Sequence, residues 1–323
     1  MCTAITLQTT HSYFGRNLDL EYSHNENVVI APRNYLFRFR NMPAASRHYA
    51  IIGVAVVENG YPLYFDGINE FGLGMAALNF PGNAKYNSVN LNSDNVAPFE
   101  LIPWILCQCK TVTEARVSLE RLNLTDCSFN SEYPLTPLHW IIADKTCAIT
   151  LEPMTDGLRI MDNSVGILTN NPPFEYHMQR LNDFMNLTTA EPQNNFSPKI
   201  CLNAYSRGMG GLGIPGDLSS SSRFIRAAFT KLNSVCGKSE DESVSQFFHI
   251  LNSVAQQKGC VKVGNSYEKT VYSSCCNQNL GIYYFTTYEN SRISAVDLHR
   301  VNLDSSQLLI YPMYRETDIR RIN

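Results

Sequence analysis

The chain begins Met1-Cys2-Thr3-Ala4-Ile5-Thr6-Leu7, and this stretch governs how the rest of the sequence is interpreted. If Met1 is removed, Cys2 carries a thiol and a free α-amine on one Cα. An α-amine titrates near ~8 and a thiol near ~8.5, so near neutral pH the amine accepts the thiol's proton at little cost. Apolar and polar residues alternate after Cys2, which predicts a strand that holds this end of the chain still. The stretch is typical of an N-terminal nucleophile, although Cys at position 2 also occurs by chance.

The composition is that of an ordinary globular protein. The 323 residues are 44% hydrophobic and 17% charged, and a chain of this length buries a large core. The net charge is −3 with Lys and Arg scattered, so we expect neither nucleic acid nor a membrane as a partner. No apolar run reaches the ~18 residues of a membrane span, and no signal peptide is recognisable. We therefore expect a cytoplasmic protein.

The ten cysteines raise the question of disulfides or a metal site. Without a secretion signal, reduced thiols are the default. Cys107 and Cys109 lie two apart in an apolar helical run and point to different faces, and Cys275 and Cys276 would face opposite sides of a strand. Neither pair has the spacing of a zinc site. The sequence predicts no metal and no other cofactor.

The order of the predicted elements indicates layered sheets. Strands come first, followed by two helices, more strands, two or three helices, and strands again to the end. Strand and helix do not alternate, which argues against a doubly wound parallel sheet. Asn59-Gly60 predicts a tight hairpin turn. Because no linker or repeat divides the chain, we expect a single α+β domain over residues 1–323, with sheets inside and helices outside.

Capping signals and apolar runs predict the helices. An irregular segment from Thr188 to Ser221, rich in Gly, Pro, Asn and Ser, separates the third helix from the fourth. A loop of this length inside a compact domain is usually functional or an assembly element. The predicted helices cover Phe99 to Cys109, a Thr111-capped run to about Leu122, Phe174 to Asn186, a Ser222-capped run to about Leu232, and a Ser239-capped run to about Gln257.

A Cys2 nucleophile needs an acid to hold the α-amine, a cation to favour the thiolate, and donors to meet the oxyanion. Arg16, Asn17 and Asp19 follow Gly15 in the second extended stretch. A short turn would make this stretch the hairpin partner of the first, so these polar groups could lie beside Cys2. The alternative is an ordinary surface salt bridge between Arg16 and Asp19.

Later segments offer further candidates. Asn79 and Asn170 end apolar strands just before breaks that contain Pro, where an amide can point into a cleft; ordinary turn chemistry is the alternative. Arg223 lies in the first turn of a helix, where its charge opposes the helix dipole, so it needs an anionic partner unless it is solvent exposed. His139 could form an ordinary Cys–His pair with Asp144 or Asn170 as its orienter, but a satisfied core histidine is commoner inside an apolar strand.

Motifs along the whole chain resemble those of the choloylglycine hydrolases and occur in that family's order. The resemblance implies a four-layer αββα sandwich of the N-terminal-nucleophile hydrolase type, with Cys2 exposed by removal of Met1. It also implies hydrolysis of glycine- or taurine-conjugated bile acids through a thioester on Cys2. The motifs are Met1-Cys2-Thr3-Ala4, Phe14-Gly15-Arg16-Asn17-Leu18-Asp19, Gly72-Leu73-Gly74-Met75, Leu78-Asn79-Phe80-Pro81, Leu138-His139-Trp140, Ile167-Leu168-Thr169-Asn170, Pro215-Gly216-Asp217 and Ser222-Arg223-Phe224.

The resemblance assigns catalytic roles to matching positions. It implies that the amine of Cys2 is the base for its own thiol and that Asp19 holds this amine. Arg16 and Arg223 would flank the thiolate. Asn79, chiefly through its backbone N–H, and Asn170 would supply the oxyanion donors. The related penicillin V acylases share the nucleophile, the Arg and the Asp but usually carry Tyr at the position of Asn79, so Asn79 favours bile salts.

The resemblance also implies where a steroid would bind and how the chain assembles. Three loops, Leu18 to Tyr22, Gly60 to Phe65 and Phe129 to Thr136, correspond to those that clasp the steroid. They are rich in apolar and aromatic residues, which suits a greasy ring system. A homotetramer is expected, with Thr188 to Gly216 contributing. The alternatives are a penicillin V acylase-like amidase and a non-enzymatic ligand binder. The candidate steroid contacts are Leu18, Tyr22, Phe65, Phe129 and Leu135.

Overall fold

The computed structural model describes residues 1–323 and is built on two large antiparallel sheets. Runs of alternating burial, such as that of Tyr61–Asn69, mark strands with one face on a core and one face turned away from it. The strands are β1 Cys2–Gln8, β2 Ser12–Leu20, β3 Asn27–Ala31, β4 Ile51–Glu58, β5 Tyr61–Asn69, β6 Gly74–Asn79, β7 Asp94–Val96, β8 Leu122–Leu124, β9 Leu138–Ala143, β10 Ala148–Met154, β11 Gly157–Asp162, β12 Ile167–Leu168, β13 Val261–Val263, β14 Ser266–Asn277, β15 Ile282–Thr287, β16 Ser294–Asp297 and β17 Leu309–Pro312.

The first sheet holds the start of the chain between two later segments. Its order is β12-β1-β2-β14-β15-β16, with β13 paired to β14. Within the β1–β2 hairpin, Cys2 lies opposite Leu18. On the other side of β2, Asp19 lies opposite Thr270 of β14. Gly15 permits the close approach of β2 to β14, because a Cβ there would lie 2.0 Å from the Ser274 carbonyl oxygen.

The second sheet stacks against the first. Its order is β11-β10-β9-β6-β5-β4-β3-β17, while β7 and β8 form a separate parallel pair. Asn59 and Gly60 have φ values of 51° and 76°, the left-handed conformations of a tight hairpin turn. The hairpin predicted at Asn59-Gly60 is therefore confirmed. The C-terminal strand β17 completes the sheet by pairing with β3.

Five α-helices flank the sheets, and their boundaries correct several predictions. Helix α4 begins at Ser220 and is capped by Ser219, whose side chain accepts from the Ser222 backbone N–H, so the prediction of Ser222 as the cap was wrong. Four consecutive serines can each cap a helix, and the sequence alone does not choose among them. The helices are α1 Leu101–Gln108, α2 Val112–Leu119, α3 Phe174–Arg180, α4 Ser220–Asn233 and α5 Glu240–Asn252, with 3₁₀ turns at Pro98–Glu100, Leu181–Phe184, Met209–Gly211 and Leu298–Arg300.

The other corrections shorten predicted helices. Helix α1 starts at Leu101 rather than Phe99, because Pro98–Glu100 is a 3₁₀ turn. Helix α2 ends at Leu119 rather than at about Leu122. The third changes from α-helix to a 3₁₀ turn after Arg180. The last ends at Asn252, and its predicted Ser239 cap forms a complete capping box with Glu242.

Two cores account for the layering. The inner core lies between the sheets and continues to α4 and α5, and the outer core joins the second sheet to α1 and α2. Successive residues of one strand serve different cores, since Ile141 of β9 belongs to the inner core and Ile142 to the outer core. The predicted αββα sandwich is confirmed. None of the helices combines the length and the apolar character needed to cross a membrane.

Candidate active site

Cys2 is held at the start of β1 by contacts from three later segments. The side chain is 3% exposed. Its backbone N–H donates to Asn170 Oδ1 at 2.8 Å, and its carbonyl accepts from Arg223 Nη1 at 2.5 Å. The ammonium group of Met1 donates to the Asp19 carbonyl oxygen at 2.8 Å and pairs with Glu268. The N-terminus is therefore fixed from both sides rather than frayed.

Asp19 presents a buried carboxylate beside this terminus. Its Oδ1 accepts from Thr270 Oγ1 at 2.6 Å, and its Oδ2 lies 3.9 Å from Arg223 Nη1. Oδ2 has no hydrogen-bond partner within the chain. Burial raises the pKa of the Asp19 carboxyl, and the charges of Arg223 and of the terminal ammonium oppose that shift. Asp19 therefore keeps one buried carboxylate oxygen without a hydrogen-bond donor close to the start of the chain.

Arg16 is fully buried, so the surface salt bridge considered as its alternative role is wrong. Its Nη1 donates to the carbonyls of Phe65, at 3.1 Å, and Ala77, while its Nη2 has no partner within the chain. Burial works to lower the pKa of Arg16, but the anionic form of Cys2 and further negative charges including Asp66 raise it overall. A guanidinium with one free N–H group is suited to hold a thiolate or a substrate anion.

Arg223 links the N-terminal strand to Asn170. It is fully buried rather than solvent exposed. Its Nη1 donates to Thr3 Oγ1 at 2.5 Å as well as to the Cys2 carbonyl, and its Nη2 donates to Asn170 Oδ1 at 2.8 Å. Burial lowers the pKa of Arg223, and the charges of Asp19 and Cys2 act against that shift. The cation in the first turns of α4 therefore has the anionic neighbours that its position against the helix dipole requires.

Asn170 and Asn79 are in direct contact. Asn170 Nδ2 donates to the Asn79 carbonyl at 2.7 Å. The backbone N–H of Asn170 donates to Ser220 Oγ at 2.8 Å, and its carbonyl accepts from His177 Nε2 at 2.9 Å. Every polar group of Asn170 thus has a defined partner. The amide group carries a second Nδ2 hydrogen beyond the one that meets the Asn79 carbonyl.

His139 does not provide a free base. It is fully buried, with Nδ1 3.0 Å from Glu152 Oε1 and Nε2 donating to the Thr169 carbonyl at 3.0 Å. Its ring stacks on Phe80 with centroids 4.2 Å apart. Both nitrogens are engaged by core groups, so the alternative of a Cys–His pair built on His139 is wrong. The Asp144 proposed as its orienter instead accepts from backbone N–H groups, including that of Val112.

The candidate steroid contacts separate into two groups. Leu18 is buried opposite Cys2, and Phe65 packs on the inner core. Tyr22 is 63% exposed. The centroid of its ring lies 5.0 Å from that of His24, and the His24 centroid lies 6.2 Å from that of Phe65. Tyr22, His24 and Phe65 form an aromatic row, and the Phe65 carbonyl is one of the groups that accept from Arg16.

The loop after β8 is organised differently. The ring centroid of Phe129 lies 5.3 Å from that of Phe99 and 5.8 Å from that of Tyr61. The three residues line a cavity of about 430 Å³. Arg40 fixes this loop by donating to the Phe129 carbonyl at 2.6 Å. Leu135 is 37% exposed. The structure therefore places Phe129 and Leu135 in a surface loop with its own aromatic cluster.

Sequence reasoning missed four residues that position the site. Thr3 accepts from Arg223, Thr270 holds Asp19, Ser220 holds the Asn170 backbone, and His177 holds the Asn170 carbonyl. Thr3 follows Cys2 directly and Ser220 lies three positions before Arg223, but neither has a local pattern that singles it out. The contacts of Thr270 with Asp19 and of Ser220 with Asn170 join distant segments through strand pairing and helix packing, which leave no local pattern.

His177 makes the stability of this site depend on pH. Burial lowers its pKa, and Nδ1 has no partner, so the folded protein holds a neutral ring. An unfolded histidine titrates near ~6.5. Below that pH the unfolded state binds a proton at His177 and the folded state does not. The free energy of unfolding therefore falls as the pH is lowered, with a limiting slope of about 1.4 kcal/mol per pH unit. We expect His177→Gln, which keeps a donor for the Asn170 carbonyl, to lose this part of the pH dependence of the free energy of unfolding. Urea unfolding between pH 5 and 7.5 measures the difference, and parallel curves would contradict it.

Comparison with known proteins agrees with this geometry. Residues 2–311 match the family model of linear amide C–N hydrolases, choloylglycine hydrolase family. The chain is 51% identical over 324 residues to a bile salt hydrolase/transferase of Lactiplantibacillus plantarum, with 100% of both chains covered.

Solved structures give the same result. The C2A mutant of the conjugated bile acid hydrolase from Clostridium perfringens superposes with a TM-score of 0.93 at 34% identity, covering 100% of each chain. Penicillin V acylase from Agrobacterium tumefaciens has a TM-score of 0.74 at 17% identity, covering 95% of this chain and 90% of that one, which shows the shared fold alone. With the matching family model spanning nearly all of its length, the chain belongs to the choloylglycine hydrolase family of linear amide C–N hydrolases.

Proposed function

We propose that this chain hydrolyses the amide bond of glycine- or taurine-conjugated bile acids, with Cys2 as the nucleophile. The observation that carries the proposal is that Asn170 and Arg223 contact Cys2, with Asp19 beside Met1, in a chain with full-length similarity to bile salt hydrolases. The bile salt hydrolases in question are those of L. plantarum and C. perfringens. Removal of Met1 is the first requirement, since only then does Cys2 carry a free amine.

The reaction begins with proton transfer inside Cys2. Its amine takes the thiol proton, and the thiolate attacks the amide carbonyl carbon, so that a C–S bond forms and the carbonyl oxygen becomes an oxyanion. Asp19 stabilises the resulting ammonium, and Arg16 stabilises the thiolate. Asn170 Nδ2 and the backbone N–H of Asn79 meet the oxyanion. The structure supports these roles through the contact between Asn170 and Asn79 and through the free atoms of Arg16 and Asp19.

The intermediate then collapses and is hydrolysed. The C–N bond breaks, the departing glycine or taurine nitrogen takes the proton from the Cys2 ammonium, and the bile acid stays on sulfur as a thioester. A water molecule next gives a proton to the free amine and attacks the thioester. The free bile acid leaves, and the proton returns to the thiolate. Each step uses the same amine in alternating roles as base and acid.

Asn79 and the aromatic row at Tyr22, His24 and Phe65 support conjugated bile acids as the substrate class. We expect glycocholate and taurocholate to be cleaved with a kcat/KM at least about tenfold higher than that for penicillin V, a difference of about 1.4 kcal/mol in transition-state binding. Parallel assays of amine release with the purified protein measure the ratio. Faster cleavage of the phenoxyacetyl amide would instead support the alternative, a penicillin V acylase-like amidase. The third hypothesis, a non-enzymatic ligand binder, predicts no acyl-Cys2 species by intact mass under rapid acid quench.

We also infer a homotetramer formed with the help of the segment from Thr188 to Gly216. Its supporting observation is a set of exposed apolar side chains that a lone chain would leave in water, namely Phe196, Ile200, Leu202, Tyr205 and Leu212. We expect the intact protein to scatter light as a tetramer at micromolar concentration, and Phe196→Ser combined with Tyr205→Ser to shift it towards smaller species. Replacing Val117 and Leu232, which are also exposed but lie on helices, by Ser is the matched control. A monomeric parent protein would contradict the inference.

We infer that residues 1–323 form one folding unit, and strand pairing between the start and the end of the chain supports this. In the first sheet β2 pairs with β14, and in the second sheet β3 pairs with β17, so strands from the two ends of the chain pair in both sheets. All ten cysteines are free thiols. We propose the cytoplasm as its location, since a reducing compartment preserves the thiol of Cys2.

A further inference from the structure

A groove on the outer side of the first sheet is separated from Asp19 by Thr270, which lines the groove and donates to Asp19 Oδ1. Helix α5 packs over β2 and β14, and beside its C-terminal half a cavity of about 340 Å³ opens over β14 and β15. Ser245, His249 and Asn252 line it from the helix at spacings of four and three, which place them on one face. Ser273 and Thr286, which are cross-strand partners, form part of its floor.

The groove is polar but almost uncharged. None of its fourteen lining residues is Lys, Arg, Asp or Glu. The remaining polar groups are hydroxyls and carboxamides, which both donate and accept hydrogen bonds. Phe248, Tyr288 and Ile293 supply apolar surface. Such a lining suits neither a carboxylate nor an amine, because no opposite charge is present to replace lost hydration.

Gln256 gives the groove an unsatisfied hydrogen-bonding group. The residue is 1% exposed, and neither Oε1 nor Nε2 has a partner within the chain. Its backbone is fixed, since its N–H donates to Thr270 Oγ1 at 2.7 Å and its carbonyl accepts from the Thr270 N–H at 3.0 Å. Gln256 is one of the lining residues of the groove, and both polar atoms of its side chain lack a partner within the chain. Each buried polar atom without a partner is ordinarily costly to a fold, so this amide is poised for a ligand.

We propose that the groove binds a small neutral polyhydroxylated molecule, a monosaccharide or a sugar alcohol. Two neighbouring hydroxyls of such a ligand can meet the Gln256 amide together, one accepting from Nε2 and the other donating to Oε1. Further hydroxyls reach Asn252 and Thr286, while the C–H face of the ligand packs against the apolar residues. The volume is at the low end of the range for ligand pockets, which fits a single sugar ring better than a steroid.

Ligand-observed saturation-transfer NMR tests the proposal with the complete protein and a panel of glucose, galactose, mannitol and myo-inositol. Gluconate and glucosamine serve as charged counterparts. Melting temperature is unsuitable as the readout, because excluded sugars stabilise proteins in general. We expect at least one neutral member to bind, and Gln256→Leu to weaken that binding at least tenfold. The charged counterparts are expected to bind more weakly than their neutral parents.

Two further variants keep the test decisive. Gln108→Leu removes an exposed carboxamide from α1, away from the groove, and is expected to bind as the parent does. If Gln256→Leu fails to fold, Ser245→Trp fills the groove from an exposed position on α5 and is expected to abolish the signal. Absence of binding by all four neutral compounds, or equal binding by the parent and the Gln256 or Ser245 variant, would overturn the proposal. Neither result bears on bile-acid hydrolysis, which is assayed without sugar.

Discussion

Replacement of Cys2 by Ala is expected to reduce amine release from glycocholate and taurocholate by on the order of 10⁴-fold or more, as removal of a nucleophile does in other covalent hydrolases. The amine of residue 2, Asp19, Asn170 and Arg223 all remain in the variant, so substrate binding should survive. No thioester can form without the sulfur, and water would have to attack the amide directly. Release of glycine or taurine, followed by mass spectrometry with the purified protein, measures the loss.

The matched control is Cys147→Ala, which removes an exposed thiol from the turn between β9 and β10. It is expected to turn over substrate as the parent does. Cys2→Ser is a second probe, because a hydroxyl is far less acidic than a thiol and the α-amine removes its proton poorly. Residual activity of Cys2→Ala near that of the parent would contradict Cys2 as the nucleophile.

Processing of the N-terminus belongs to the same experiment. In the structure the Met1 ammonium occupies the space beside the Asp19 carbonyl and Glu268. Intact mass of the parent protein should correspond to a chain that begins at Cys2. Any fraction that retains Met1 should be inactive, because its residue 2 has a peptide nitrogen in place of a basic amine.

The part of the site that sequence could predict lies in the first hairpin. Cys2 and Asp19 come together because β1 and β2 are joined by a short turn, and alternating apolar residues predict both strands. The layered fold was predictable from the order of strands and helices. Asn79, Asn170 and Arg223 are ambiguous as local patterns, and they became candidates for specific roles through the family resemblance.

The residues that escaped prediction act over long sequence separations. Thr270 is 251 positions from the Asp19 it holds, and Ser220 is 50 positions from Asn170. Strand pairing between β2 and β14 decides the first contact and the packing of α4 decides the second. The pairing of β2 with β14 leaves no periodicity or capping signal at Thr270 that would reveal its role. The N-cap of α4 escaped for a different reason, since any of several adjacent serines satisfies the same local rule.

Asp19→Asn is expected to lower kcat/KM by roughly 10³-fold, since a charge about 4 Å away contributes about 4 kcal/mol at an effective dielectric constant near 20. The physical reason is that proton transfer within Cys2 creates an ammonium, and the Asp19 carboxylate is the buried anion beside it. Asn keeps an oxygen for Thr270 but carries no charge. The variant also leaves Arg223 without its nearest carboxylate, which is 3.9 Å away, so some loss of stability should accompany the loss of rate.

The pH profile separates the electrostatic role of Asp19 from a merely structural one. A carboxylate beside the α-amine raises the pKa of that amine, so Asp19→Asn should lower it and move the acid limb of kcat/KM to lower pH. Asp66→Asn is the matched control, because Asp66 is also buried and near Arg16 but is held by Tyr272, Tyr283 and Ser274 rather than facing the terminus. That control should lose stability and leave the acid limb in place. An Asp19→Asn protein with an unshifted acid limb and only the stability loss of the control would show that Asp19 supports the fold without tuning the amine.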